Sequence, residues 1–156
     1  MRWIKLSQGK FTIVDDEDFE WLNQWKWYCS KKGYAVRTKY LGGGRANPKF
    51  KQVRMARLIL ENSGVDITNL QVDHIDRNKL NNQKNNLRPA TNSINQHNTS
   101  PSIRNKSGYK GVYQCHSSKK WEVRITINNQ RKWLGRWASK YDAALAYYTA
   151  KKVAGF

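Results

Sequence analysis

"QVDHIDRNKLNNQKNNLRPATNSINQHN", residues 71–98, sets an acid–base pair ahead of a run of asparagines. QVDH reads as the end of a β-strand that closes on an acid–base pair, Asp73 and His74. The polar, Asn-rich run IDRNKLNNQKN suits a long hairpin loop, because Asn tolerates left-handed backbone. NLRPA reads as a return strand stopped by Pro89. Thr91 is placed to cap a helix through NSINQHN. The predicted unit is strand, loop, strand, helix, with the helix folded back beside the strand that carries Asp73 and His74.

Charge frames this unit. The 156 residues carry 29 Lys/Arg against 11 Asp/Glu, a net charge of +18. That excess points to a polyanionic partner. It is also segregated. Residues 1–60 hold 13 basic against 5 acidic side chains, residues 61–100 hold 4 against 4, and residues 101–156 hold 12 against 2. Two basic arms, interleaved with aromatics, flank a neutral centre. The plain alternative is a soluble, sticky surface. Mean hydropathy is −0.88, so the core is small and aromatic-rich. No run approaches the ~18 apolar residues of a membrane helix. MRWIKLSQGK has no apolar signal core, so a cytoplasmic protein is expected. Cys29 and Cys115 stand alone and give no disulfide framework.

Upstream, IKLSQGKFTIVDD breaks at Gly9 like a hairpin. Asp15 or Asp16 is placed to cap a helix through EDFEWLNQW. GYAVRTKY and FKQVRMARLIL read as strands, the second running into a helix, with LGGGRANP a flexible loop between them. Residues 1–98 therefore form a small α+β arm leading into the 71–98 unit. TSPSIRNKSG, 99–108, reads as a linker. Residues 109–156 read as a second domain. In it GVYQCH is a strand, and KWEVRITI alternates with Trp121, Val123, Ile125 and Ile127 on one face. NNQ is a turn and RKWLGRW a third strand. Ser139 with Asp142 begins a helix that runs to Gly155. The expected fold class is α+β: the arm, the strand–loop–strand–helix unit, then a three-stranded antiparallel sheet backed by one helix.

Over about 30 residues the central unit resembles the HNH nuclease motif, the ββα-metal fold. Asp73-His74 matches its first element and Asn86-Leu87 its "NL" element. Asn95 matches its third position, where Asn replaces His in the homing-endonuclease branch. The resemblance implies that Asp73 and Asn95 hold a divalent metal, that His74 is the general base, and that Asn86 orients His74. Asn98 is a weaker candidate for packing the site. The chemistry is consistent. Phosphodiester hydrolysis needs an activated water, which a neutral imidazole near pH 7 can supply. One carboxylate, one amide oxygen and waters suit a hard ion, Mg2+ or Mn2+. The plain alternative is a hairpin with a turn-capping Asp and a surface His; the ordered set DH, NL and N weighs against it. His97 and His116 read as structural or surface residues, and Asp76 as a loop residue. One departure is MARLIL, where Ala56 stands at a position related sequences often fill with His.

The C-terminal 48 residues resemble an AP2 DNA-binding domain through YKGVYQ, KW, RKWLGRW and the Ala-rich helix. In that family the sheet enters the major groove. Position matching implies that Lys110, Tyr113, Lys120, Arg124, Thr126, Arg131 and Trp133 face DNA. Tyr113 and Cys115 stand where plant members carry Arg, so a different base sequence is implied. A buried aromatic is the alternative for Trp133, and a solvated turn for Lys119 and Lys120.

The expected function is a metal-dependent, site-preferring HNH DNA endonuclease with an AP2-like reader, similar to the small free-standing endonucleases of bacteriophages and acting in the bacterial host cytoplasm. Double-stranded DNA is the expected partner, with no membrane and no small-molecule cofactor. By resemblance the products carry 5′-phosphate and 3′-OH ends. The alternative is a non-catalytic DNA-binding regulator on a decayed nuclease scaffold, which Ala56 favours. An RNA-binding protein has the charge but lacks a recognisable RNA module.

Overall fold

The computed structural model describes residues 1–156, which divide into two compact units, Met1–Thr91 and Asn92–Phe156. The architecture is the expected α+β mixture of short helices and small antiparallel sheets. No helix is long and apolar enough to cross a membrane.

In the first unit β1 (Arg2–Lys5) and β2 (Phe11–Val14) form a hairpin. Helix α1 (Asp16–Asn23) follows, with Asp16, Glu17 and Asp18 in its first turn, where the helix dipole favours acids. Asp15 is the N-cap residue but makes no side-chain cap bond. Its carboxylate instead accepts from Gln83 Nε2 at 3.0 Å and Lys84 N at 2.7 Å, so a residue predicted to serve its own helix pins a segment nearly 70 positions away. Strands β3 (Tyr28–Cys29), β4 (Ala35–Gly42) and β5 (Lys49–Arg54) form a second sheet in that order. Helix α2 (Met55–Asn62) leaves β5 directly. Strands β6 (Gln71–His74) and β7 (Leu87–Ala90) form the central hairpin, with a 3-10 turn at Lys84–Asn86.

Pro89, predicted to stop the return strand, lies inside β7 opposite Val72. The sheet has only two strands, so β7 is an edge and can lose an N–H without breaking a second ladder. The core of this unit gathers Ile4, Leu6, Leu22, Trp27, Met55 and Ile59. Trp27 is fully buried, and its indole N–H donates to Leu22 O at 2.8 Å, so its one polar atom is satisfied.

The second unit opens with α3 (Asn92–His97) and continues with β8 (Val112–Gln114), β9 (Trp121–Ile127), β10 (Gln130–Trp137) and α4 (Lys140–Val153). The sheet order is β10-β9-β8, all antiparallel. Asn128 and Asn129 turn the β9–β10 hairpin with φ of 51° and 60°, the left-handed pair that matches strand twist. Ser139 caps α4, its Oγ accepting from Tyr141 N at 3.1 Å. Val112, Val123 and Ile125 meet Ala143, Ala144 and Tyr147 in the core. Close approach of α4 needs Gly111. A Cβ there would lie 2.3 Å from the Tyr147 ring, and its φ is +74°.

The second compact unit begins with α3 and includes 99–108. His97 explains why. Its Nε2 lies 2.7 Å from Thr126 O, and its ring stacks on Phe156 with centroids 3.9 Å apart. The segment 99–108 is itself bonded into this unit. Buried Ser107 donates to Val112 O at 2.9 Å, and Asn105 Nδ2 donates to Tyr109 O at 2.7 Å.

Candidate functional site

Adjacent residues of a strand point to opposite faces, yet Asp73 and His74 are both only 4% exposed. The end of β6 is thus covered on both sides. Register places Asp73 opposite Arg88. Arg88 Nε and Nη2 both converge on Asp73 Oδ2, at 3.0 and 2.9 Å. The buried carboxylate therefore has a cross-strand cation beside it.

His74 is held by a chain of hydrogen bonds whose direction is fixed at one end. Leu80 O can only accept, so Thr12 Oγ1 donates to it at 2.8 Å. Thr12 Oγ1 then accepts from Asn82 Nδ2 at 2.7 Å. This turns Asn82 Oδ1 toward His74 Nε2, 3.1 Å away. An acceptor facing Nε2 means that Nε2 carries the proton in the neutral ring, and Nδ1 is the basic nitrogen. Thr12 is 0% and Asn82 1% exposed, so the relay is dry and its polarity is strongly enforced. Burial pushes the His74 pKa below its ordinary value, against the opposing effects of the Asn82 hydrogen bond and of Asp76 and Asp73. The ring is neutral near pH 7. Tyr34 lies beside it with centroids 6.0 Å apart, and Arg54 and Lys79 sit over the Tyr34 ring, each at 4.7 Å.

The Asn-rich loop is shaped by Asp76. Its Oδ1 accepts from Asn78 N at 2.7 Å and Asn86 Nδ2 at 2.9 Å, and its Oδ2 from Asn81 Nδ2 at 2.8 Å. Burial would raise its pKa, but these bonds from Asn81, Asn78 and Asn86 outweigh burial and hold it lowered. Asn86, expected from the resemblance to orient His74, bonds to the chain that directly follows that histidine, its backbone O accepting from Ile75 N at 2.9 Å. Its Oδ1 accepts from Asp76 N at 3.0 Å, and its Nδ2 also donates to Asn81 O at 2.8 Å. Both amide hydrogens are thereby committed to the loop. Asn82, four residues earlier in the same asparagine run, is the amide that meets the His74 ring.

Two upstream features support this hairpin. Ile13 N donates to Leu80 O and Asn82 N to Ile13 O, each at 2.8 Å, so β2 clamps the stretch that carries the relay. Arg57 Nη1 and Nη2 donate to Leu70 O at 3.0 Å and Ile67 O at 3.1 Å, and Nε pairs with Glu61 at 2.9 Å. That fork fixes the chain just before β6. Ala56, at the departure noted above, is packed in the core.

Asn95 lies half-buried on α3, in the second unit. Asn98 follows that helix, its N–H bonding to Ile94 O and Asn95 O. No group of three or more His, Cys, Asp or Glu side chains gathers as a metal cage.

The sheet of the second unit brings most of the expected DNA-facing residues onto one face. Directly opposed residues of antiparallel strands share a face. Arg124 opposes Trp133, Thr126 opposes Arg131, and Tyr113 opposes Glu122. All five expected residues of this set are exposed, Trp133 at 63%, so Trp133 is not a core aromatic. Glu122 accepts from Arg124 at 3.0 Å and Arg136 at 2.9 Å, holding two guanidinium groups in place. Lys120 is exposed just before β9. Lys110 stands apart. Its Nζ donates to Gln96 O and, at 2.7 Å, to Thr99 Oγ1, and burial, then Lys151, lowers its pKa. This lysine braces the C-terminal end of α3.

Thr12, Asn82, Arg88 and Arg57 were not singled out by sequence reasoning. Arg88 had a local signal, since hairpin register puts it across from Asp73. Asn82 was hidden among equivalent asparagines. Thr12 and Arg57 contact the site through tertiary packing and carry no signal of their own.

Residues 57–97 match the family model described as HNH endonuclease. The match begins at Arg57 and contains the whole β6–β7 hairpin and α3. A curated relative, an uncharacterized HNH endonuclease of Acanthamoeba polyphaga mimivirus, is 37% identical over 106 residues, covering 68% of this chain and 52% of the relative. The chain thus spans about half the length of that relative. No solved structure matches the chain.

Proposed function

We propose that the chain is a metal-dependent, site-preferring DNA endonuclease of the HNH type, with His74 as general base and the β8–β10 sheet as an AP2-like reader. The observation that carries the reading is the directed relay Leu80–Thr12–Asn82–His74. It is a costly arrangement for a surface histidine and a useful one for a base. The His74 imidazole takes a proton from water as the water oxygen bonds to phosphorus, and the bond from phosphorus to the 3′ oxygen breaks, that oxygen leaving as 3′-OH with a proton from solvent. General-base assistance of this kind contributes ~10²–10⁴-fold.

Asp73 and Asn95 would hold the divalent ion. Their hard oxygen donors fit Mg2+ or Mn2+, and Arg88 steadies the Asp73 carboxylate through Oδ2. When bound, the ion supplies charge stabilisation at the phosphate. With only one ligand charge, substrate phosphates complete the site, in keeping with the neutral 61–100 segment. Asn86 and Asp76 keep the loop closed on the relay. On the reader, Arg124 and Arg131 suit guanine edges and the lysines suit phosphates.

The test is a plasmid-cleavage assay with and without Mg2+ or Mn2+. Cleavage should need the ion, and Asp73→Ala should abolish it while DNA binding persists. Unchanged cutting by Asp73→Ala would reject the site. A second reading, a non-catalytic DNA-binding regulator, is favoured by Ala56; it predicts binding without cleavage under every ion.

A further inference from the structure

Apart from Arg54, which sits over Tyr34, the β4–β5 ribbon is a strongly charged surface that the site does not use. Residues 35–54 contain six Lys/Arg and no Asp/Glu, and none of those six has an acidic side chain for a partner: the ion pairs of the chain lie elsewhere. Lys39 and Lys51 are directly opposed across the ladder, a like-charge pairing that destabilises an isolated sheet. On the other face Tyr40 opposes Phe50. Their rings lie 5.5 Å apart, and the residues are 52% and 61% exposed. Edge lysines alone would protect a strand from aggregation; protection does not need two exposed aromatic rings beside them. Both features become favourable against a partner that is anionic along its rims and presents base edges, with thymine methyl groups among them, in between.

Dimensions select the partner. Two strands lie about 4.8 Å apart, and the B-DNA major groove, about 12 Å wide, admits a two-stranded ribbon, whereas the minor groove, about 6 Å wide, does not. Gly42, Gly43 and Gly44 all take positive φ where β4 leaves the ladder, and the turn that follows, through residue 48, adds the cation of Arg45 at the tip. We infer that the β4–β5 ribbon is a second DNA-contacting element, which enters the major groove of duplex DNA with Tyr40 and Phe50 against base edges and Lys39 and Lys51 on flanking phosphates. It deepens the DNA-binding half of the proposed function and does not depend on cleavage.

The experiment uses the full chain without divalent ions, binding a fluorescent 30-base-pair duplex at several salt concentrations. The variants are Lys39→Ser with Lys51→Ser, and Tyr40→Ser with Phe50→Ser; all four positions are solvent-facing, and unchanged circular dichroism confirms the fold. Losing two phosphate contacts should reduce the slope of log K against log salt by about 1.8, so that the fall in affinity between roughly 50 and 200 mM salt shrinks about tenfold. The aromatic pair should lower affinity with the slope unchanged, and guanine N7 methylation should block binding of the wild type but cost the aromatic variant less. Unchanged affinity and slope in both double variants would overturn the inference. Equal competition by an A-form RNA duplex, whose major groove is too deep and narrow for the ribbon, would overturn it too. Because no cleavage is measured, an inactive protein that passes this test defeats the nuclease reading alone.

Discussion

The β6–β7 hairpin and the β8–β10 sheet are both small antiparallel structures, and they handle polar side chains in opposite ways. The hairpin buries Asp73, His74, Asn82 and Asn86 and holds them in hydrogen bonds, among them Arg88 to Asp73 and Asn82 to His74. The sheet leaves Tyr113, Arg124, Thr126, Arg131 and Trp133 exposed, with Glu122 steadying only the guanidinium groups. A buried polar network fixes one geometry and one protonation state. An exposed cationic face keeps its charges hydrated until a partner arrives, and so reads a surface without being committed to it. The first arrangement suits chemistry on one water molecule; the second suits recognition.

Salt should separate the two regions most widely. Exposed charges are screened, so DNA affinity should fall ~10³-fold or more between roughly 50 and 200 mM salt if about six phosphates are contacted. The cleavage rate of already saturated complexes should change far less, because the relay is out of solvent. A flat binding response would erase the distinction.

Asn82→Ala probes the buried side. It leaves the His74 Nε2–H and Thr12 without their partner, which should cost ~1–3 kcal/mol of stability by denaturant titration. A misdirected base should also slow cleavage by up to about 10², with affinity for DNA unchanged. Wild-type cleavage in this variant would show that His74 does not depend on the relay.

Arg124→Ala probes the exposed side and should give the smallest effect. Loss of one paired base contact costs ~1–3 kcal/mol of discrimination, read as a narrowed gap between target and scrambled duplexes. Stability should not move. Equal weakening on both duplexes would reduce Arg124 to a phosphate contact.

The same contrast explains what was legible in the sequence. KWEVRITI announces its faces by strict alternation, so Val123 and Ile125 fall in the core and Arg124 and Thr126 outside, as the pattern says. Strand positions around Asp73-His74 were equally plain. What sequence could not rank was the asparagine run: Asn81, Asn82 and Asn86 have the same chemistry, and only the packing of β2 against residues 80–82 distinguishes the one that meets His74. Asp15 failed for the same reason, since a nearby helix and a distant turn compete for one carboxylate. Lys110 reads as a surface cation until α3 supplies a carbonyl for it.

The most direct test of the division is a paired binding and cleavage titration of His74→Ala on target DNA with Mg2+ present. The separation of tasks between hairpin and sheet predicts specific binding close to wild type, because the sheet face is untouched, and cleavage reduced by ~10²–10⁴. Cleavage at the wild-type rate would contradict it by removing His74 as the base, and loss of specific binding alongside cleavage would show that the buried hairpin and the exposed sheet do not hold separate tasks.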